Sequence, residues 1–255
     1  MRDQKKKVGF IGLGNIGKPC AQRLIGDRFD AHVYDIWKPA VDELVEQGAY
    51  GCVSVADIAS RCSHLGICVR DDEQVENLLY GSDGVLANAA SETLVAVHST
   101  VTQANLLKWS RDAAAAGIHL FDAPITGGAH KAAEGTLCYM VGGPDSILQA
   151  ATPVFETSAE KVFHAGDLGA GIALKLCNNF IPYAEFVAMA EATRLAQACG
   201  LSADVLREVG LANGVSAGDE RDRLLVVHGH TRKGLADVAA RSVRARIAVR
   251  PFGVD

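Results

Sequence analysis

The stretch "KVGFIGLGNIG", residues 7–17, constrains this chain more than any other. A short apolar run, 7–12, ends in glycine and reads as a strand, and residues 15–27 read as a helix with Ile16, Leu24 and Ile25 on its apolar side. The junction "GLGNIG", 12–17, has the pattern GxGxxG in the strand-to-helix context that gives the pattern meaning. Gly12 permits the tight turn, Gly14 lets the backbone approach a pyrophosphate, and Gly17 lets helix and strand pack closely. The helix start offers free N–H groups and partial positive charge to phosphates. Gly12, Leu13, Gly14, Asn15, Ile16 and Gly17 are therefore the candidate phosphate turn. Asp35 ends the next strand, "AHVYD" at 31–35, near the spacing of a carboxylate that binds ribose hydroxyls. A carboxylate there repels a 2′-phosphate and favours NAD over NADP, while Lys38 pulls the other way. The bland alternative, a glycine-rich turn with no ligand, is outweighed by strand, helix and Asp35 together.

The alternation continues. Helices are expected over 38–48, with proline at the start and glycine at the end, after Ser54, after Asp71 and over 102–116. Strands are expected at 64–70, 93–99, 118–124, 135–143 and 161–166. Strands alternating with helices predict an α/β fold with a Rossmann-type, mostly parallel sheet. From Gly169 to Cys199 one long helix replaces the alternation, apolar on nearly all sides as far as Ala190 and interrupted by Pro182. A domain boundary is placed near 166–168, giving a dinucleotide-binding domain 1–166 and a helical domain 167–255. Ser202 is expected to cap a further helix.

The long helix opens with "GAGIALKLCNN", 169–179, in which Lys175, Asn178 and Asn179 are the only charged or amide side chains before Glu185. At 100° per residue the three lie on one face. Lysine is almost never fully buried without a partner. Either Lys175 snorkels to water or the stripe faces a polar ligand, and the helix alone does not separate the two. "DAPITGG", 122–128, leaves a strand through Pro124 and ends in two glycines whose backbone N–H groups, with the Thr126 hydroxyl, suit a carboxylate. Taken by itself that stretch reads as an ordinary turn.

The bulk numbers exclude other classes. A net charge of −5 argues against nucleic acid as a partner. Seven cysteines, mostly in apolar segments, fit reduced thiols in a cytoplasmic protein, and no His/Cys cluster has metal-ligand spacing, so no metal is expected. The apolar run near the N-terminus is too short and glycine-rich for a signal peptide, and no stretch is long and apolar enough to span a bilayer.

Taken together the motifs resemble the β-hydroxyacid dehydrogenase family, whose member types include 3-hydroxyisobutyrate dehydrogenase and tartronate semialdehyde reductase. "GFIGLGNIG" at 9–17, "DAPITGG" at 122–128, "EGTLCYMVGG" at 134–143 and "GAGIALKLCNN" at 169–179 occur in the family's order, within a resemblance covering about 7–213. The resemblance implies that Thr126, Gly127 and Gly128 grip a substrate carboxylate, that Lys175 is the catalytic acid/base, and that Asn179 helps hold the substrate. It implies that Ser99 and Thr100, after a central strand, lie near the nicotinamide, Ser99 on the substrate side and Thr100 on the cofactor side. The implied activity is hydride transfer between NAD, or NADP, and a short 3-hydroxy acid of the 3-hydroxyisobutyrate or 2-hydroxy-3-oxopropionate class. The substrate is implied to bind between the two domains.

Two departures stand out. Ile-Thr replaces the family's usual Val-Ser in the loop, which keeps the hydroxyl. After Asn213 the expected further helices and Lys-Asp pair are missing, so the all-α C-terminal domain reads as truncated or altered. The tail 219–255 holds eight of the 25 Lys+Arg but five of the 30 Asp+Glu, a net +3 on an otherwise acidic chain. An incomplete helical domain makes a nucleotide-binding homologue with little or no activity the alternative, and leaves a homo-oligomer through that domain as an expectation. "GVSAG", 214–218, matches a hydrolase nucleophile elbow but lacks the strand before it, and "HGH" at 228–230 reads as a solvated loop. A 6-phosphogluconate dehydrogenase usually has His-Asn where this chain has Asn178-Asn179. Imine reductases and non-enzymatic reader relatives usually lack the lysine, so Lys175 argues for an enzyme.

Overall fold

The computed structural model describes residues 5–212. The tail 219–255, "GVSAG" and "HGH" lie outside them. The chain divides into two compact units, Met1–Lys175 and Leu176–Asp255.

In the first unit, β1 (Lys6–Ile11) pairs in parallel with β2 (Phe29–Tyr34) on one side and β4 (His64–Ile67) on the other. β3 (Tyr50–Gly51) extends the β2 edge, and β5 (Leu94–Val97) and β6 (His119–Asp122) continue the β4 side, all parallel. The order β3-β2-β1-β4-β5-β6 is that of a dinucleotide-binding sheet. Every residue of β4 and β5 is buried, as strands covered on both faces require. β7 (Ile125–Thr126) prolongs β6 past a break at Pro124. Both run antiparallel to β8 (Leu137–Gly142), whose far side pairs in parallel with β9 (Ala159–Gly166).

The helices follow their end signals. α1 (Gly17–Gln22) is shorter than the periodicity predicts, because the chain turns through Ile25 N–H to the Gln22 carbonyl and reaches Gly26 at φ +155°. α2 (Lys38–Val45) carries Pro39 in its first turn, and Gly48 follows it at φ +108°. α3 (Val55–Arg61) is capped by the Ser54 hydroxyl and α4 (Asp72–Leu79) by the Asp71 carboxylate. α5 (Val85–Asn88) is a single turn, and α6 (Gln103–Ala115) is capped by Thr102 and buries Leu106 and Trp109. α7 (Gly128–Glu134) and α8 (Asp145–Phe155) complete the unit, with Phe155 stacked on Tyr139 at 4.7 Å. β3, α5, β7, α7 and α8 were not predicted. Two-residue strands and short helices carry too few periods to stand out in a sequence.

α9 (Ala170–Ala198) begins in the first unit and supplies, with α10 (Ala203–Ala212), the described part of the second. The Ser202 hydroxyl accepts the Val205 N–H, as its position predicts. The apolar side chains Phe180, Ile181, Tyr183, Val187 and Leu195 of α9 are exposed among the described residues. Apolarity on all sides predicts that a helix has partners, not which ones.

Candidate functional site

The glycine turn is built as its spacing predicts. Gly12 sits at φ +93°, and a Cβ there would lie 2.9 Å from the carbonyl carbon of Cys68 at the exit of β4. A Cβ on Gly17 would press 3.0 Å from the Gly12 carbonyl carbon, so the first turn of α1 rides directly on β1. Among the described residues Gly14 has nothing within 4 Å of where its Cβ would stand, and with Asn15 it is exposed at the tip. That open cradle at the end of a parallel strand fits a pyrophosphate. Ile16 is half-buried and Leu13 is buried.

Asp35 has two backbone partners. Oδ2 accepts the Leu13 N–H at 2.6 Å, and Oδ1 accepts the Trp37 N–H at 2.7 Å. The carboxylate therefore buttresses the glycine turn, and, half-buried just after β2, it has lone pairs beyond these two bonds. Lys38 pairs with Asp42 at 2.6 Å, one helical turn on.

On the other half of the sheet, Ser99 is buried after β5, and its hydroxyl accepts the Val69 N–H at 2.8 Å. Thr100 beside it is half-buried. Thr126 closes β7, and Gly127 and Gly128 follow at φ +129° and +73°, both exposed. Such φ values are open to glycine and costly to other residues. Lys131, four residues beyond Gly127, is exposed.

Sequence reasoning gave no role to Asp122, the first residue of "DAPITGG". It is 0% exposed at the end of β6, with Oδ1 accepting the Gly169 N–H and Oδ2 the Ile172 N–H, each at 2.8 Å. Burial pushes its acid up, and these N–H groups at the start of α9 oppose that. The signal was available: a lone carboxylate between Phe121 and Ala123, at the end of an apolar strand, must find donors. Lys175 lies one turn beyond Ile172 on α9. It is half-buried, burial alone lowers its pKa, and no carboxylate among the described residues pairs with it. No hydrogen bond joins it to Ser99 or to the 126–128 loop among those residues. Asn178 and Asn179 are half-buried on the same helix but belong to the second unit.

No group of three or more His, Cys, Asp or Glu among the described residues is placed to hold a metal ion. No helix among them is long and apolar enough to cross a membrane.

Residues 7–166 match the NAD binding domain of 6-phosphogluconate dehydrogenase. The chain is 39% identical over 202 residues to 3-hydroxyisobutyrate dehydrogenase of Pseudomonas aeruginosa, covering 79% of this chain and 68% of that one. It is 38% identical over 204 residues to the NAD-dependent L-serine dehydrogenase of the same organism, covering 80% of this chain and 68% of the relative. A solved structure of Mycobacterium tuberculosis 3-hydroxyisobutyrate dehydrogenase with L-serine superposes with a TM-score of 0.74 at 32% identity, over 82% of this chain and 71% of that one. The likeness extends well past the dinucleotide domain, and on that ground the chain belongs to the β-hydroxyacid dehydrogenase family, the NAD(P)-dependent oxidoreductases related to 3-hydroxyisobutyrate dehydrogenase.

Proposed function

We propose that this enzyme interconverts a short 3-hydroxy acid, of the 3-hydroxyisobutyrate or 2-hydroxy-3-oxopropionate class, with its aldehyde, using Lys175 as general acid/base. The carrying observation is the state of Lys175. Among the described residues it is a desolvated amine without a carboxylate partner, on a helix anchored to the strand that leads into the 126–128 loop. An amine of lowered pKa has a larger neutral fraction near neutral pH, which is what a base needs.

The chemistry supplied by NAD is acceptance of a hydride from the carbinol carbon. The chain supplies the rest. Gly12 to Gly17 and Asp35 hold the dinucleotide, with Gly14 against the pyrophosphate and Asp35 toward the ribose hydroxyls. Asp35, together with the engagement of Lys38 by Asp42, favours NAD over NADP. Thr126 and the N–H groups of Gly127 and Gly128 orient the substrate carboxylate, while Ser99 and Thr100 border the reacting end. Neutral Lys175 takes the hydroxyl proton during oxidation and returns it during reduction. Asn179, one helical turn on, steadies the substrate.

The test is a spectrophotometric screen of 3-hydroxyisobutyrate, L-serine, glycerate and 2-hydroxy acids of similar length with NAD and NADP, on wild type and Lys175→Ala. A 3-hydroxy acid should be turned over with NAD, and K175A should lose turnover while still binding NAD. Turnover by K175A at the wild-type rate would refute the assignment.

A further inference from the structure

We infer that Asp122 is a positioning residue for this reaction, setting where the Lys175 amine stands. The inference rests on the reading of Lys175 given above.

Asp122 lies where three parts of the first unit meet. It ends β6, the strand that continues through Pro124 into β7 and the 126–128 loop. Its two oxygens take the N–H groups of Gly169 and Ile172, the entry of α9, and the Gly171 N–H also faces it. The third part is β8. A Cβ on Gly142 would lie within 2.8 Å of the Asp122 carboxyl carbon. A Cβ on Gly171 would lie 2.8 Å from Asp122 Oδ2 and 3.1 Å from the Gly142 nitrogen. Two glycines thus let the helix entry close onto strand and carboxylate with no side chain between.

The arrangement exceeds ordinary capping in reach. Asp122 lies 47 residues from Gly169 and 50 from Ile172, so it fixes α9 to a remote strand rather than to its own preceding loop. No cation pairs with it among the described residues. Its charge is met by backbone N–H groups at a helix start, a direction-specific set of donors. Ile172 is 0% exposed and cannot slide without opening a void. Lys175 follows three residues later on the same rigid turn. The loop assigned to the substrate carboxylate and the helix carrying the base therefore share one anchor. The span between carboxylate grip and proton acceptor is set by Asp122 rather than by either element alone.

Asp122→Asn tests this. It keeps one carbonyl acceptor but turns an NH2 toward a backbone N–H. In D122N, kcat at saturating hydroxy acid should fall about 100-fold while the NAD dissociation constant stays within about twofold, since a small misplacement of a reacting group is felt in turnover. The pH profile of Lys175 labelling by trinitrobenzenesulfonate, which takes only the neutral amine, followed by peptide mass spectrometry, should shift upward toward that of an ordinary lysine as the amine leaves its sheltered place. A D122N protein that binds NAD with wild-type kcat overturns the proposal. So does a loss of kcat with unchanged labelling, because the amine has then not moved. Should D122N fail to bind NAD, Asp122→Glu decides. The same loss of kcat with NAD binding intact supports positioning, while wild-type kcat or a second failure to bind NAD makes Asp122 a folding residue only. K175A run alongside separates the two readings. Active K175A removes the assignment of Lys175 itself, whereas inactive K175A with fully active D122N removes only the role of Asp122.

Discussion

Asp122 Oδ2 accepts the backbone N–H of Ile172 at 2.8 Å, joining the end of a central strand to the first turn of a helix 50 residues later. The bond is buried and works beside its twin to Gly169. Packing at this junction depends on Gly171, whose missing side chain leaves room for the carboxylate. Gly171→Ala should therefore destabilise the protein by roughly 1–3 kcal/mol through overpacking, read as a lower urea midpoint with unchanged slope.

The glycine turn separates folding from binding position by position. Gly12→Ala places a Cβ at φ +93° against the Cys68 backbone and should cost stability, at least about 1 kcal/mol for the left-handed backbone alone. Gly14→Ala meets open space, so its melting temperature should match wild type while NAD affinity falls about tenfold or more, near 1.4 kcal/mol. Calorimetric melting and NAD titration on the same samples check both.

In the role proposed for it, Lys175 sets catalysis against stability. Burial lowers its pKa in the folded protein, so over the window between that lowered value and the ordinary lysine value the unfolded chain binds more protons, and stability rises with pH. Below the window both states are protonated and the cost of sheltering an ammonium is fully present. Lys175→Met should raise the melting temperature at pH 7 while abolishing turnover. In wild type, oxidation should gain rate as pH rises through the folded pKa, and reduction should lose rate over the same range.

Two buried histidines carry an acid liability. Burial holds His64 down to about 3 and His98 down to about 4. The folded protein therefore leaves them neutral at pH values where the unfolded chain protonates them. Stability should fall as pH drops from about 6.5 toward 4, by up to about 1.4 kcal/mol per pH unit for each group. Among the described residues neither ring nitrogen of His64 has a hydrogen-bond partner, whereas His98 Nδ1 lies 2.8 Å from the Ala123 carbonyl oxygen. His64→Leu should stabilise the protein by about 1 kcal/mol at pH 7 and by more at pH 5, measured by urea unfolding at both.

Cofactor choice should follow Asp35. Asp35→Asn removes the charge that repels a 2′-phosphate, so the ratio of kcat/KM with NAD to that with NADP should fall about tenfold or more. Lys38→Ala should leave the ratio nearly unchanged, because Asp42 already engages that ammonium.

Local rules carried the sequence a long way. The order of strands and helices through β6, apart from β3 and α5, the caps at Ser54, Asp71 and Ser202, and the glycine turn with Asp35 beside it all follow from residues close together in the chain. Such features show in a sequence because their physics is short-range: periodicity, capping, and backbone angles open to one residue type. The antiparallel course of β8, the α7 and α8 segments and the true length of α1 were not visible, since they depend on which distant strand or loop receives them. Asp122 is the sharpest case. Its sequence neighbours say only that a buried carboxylate must find donors, and three-dimensional packing alone brings Gly169 and Ile172 to supply them. A residue's chemistry is written in the chain, while its partner, when that partner is tens of residues away, is chosen by the fold that brings the two within hydrogen-bonding distance.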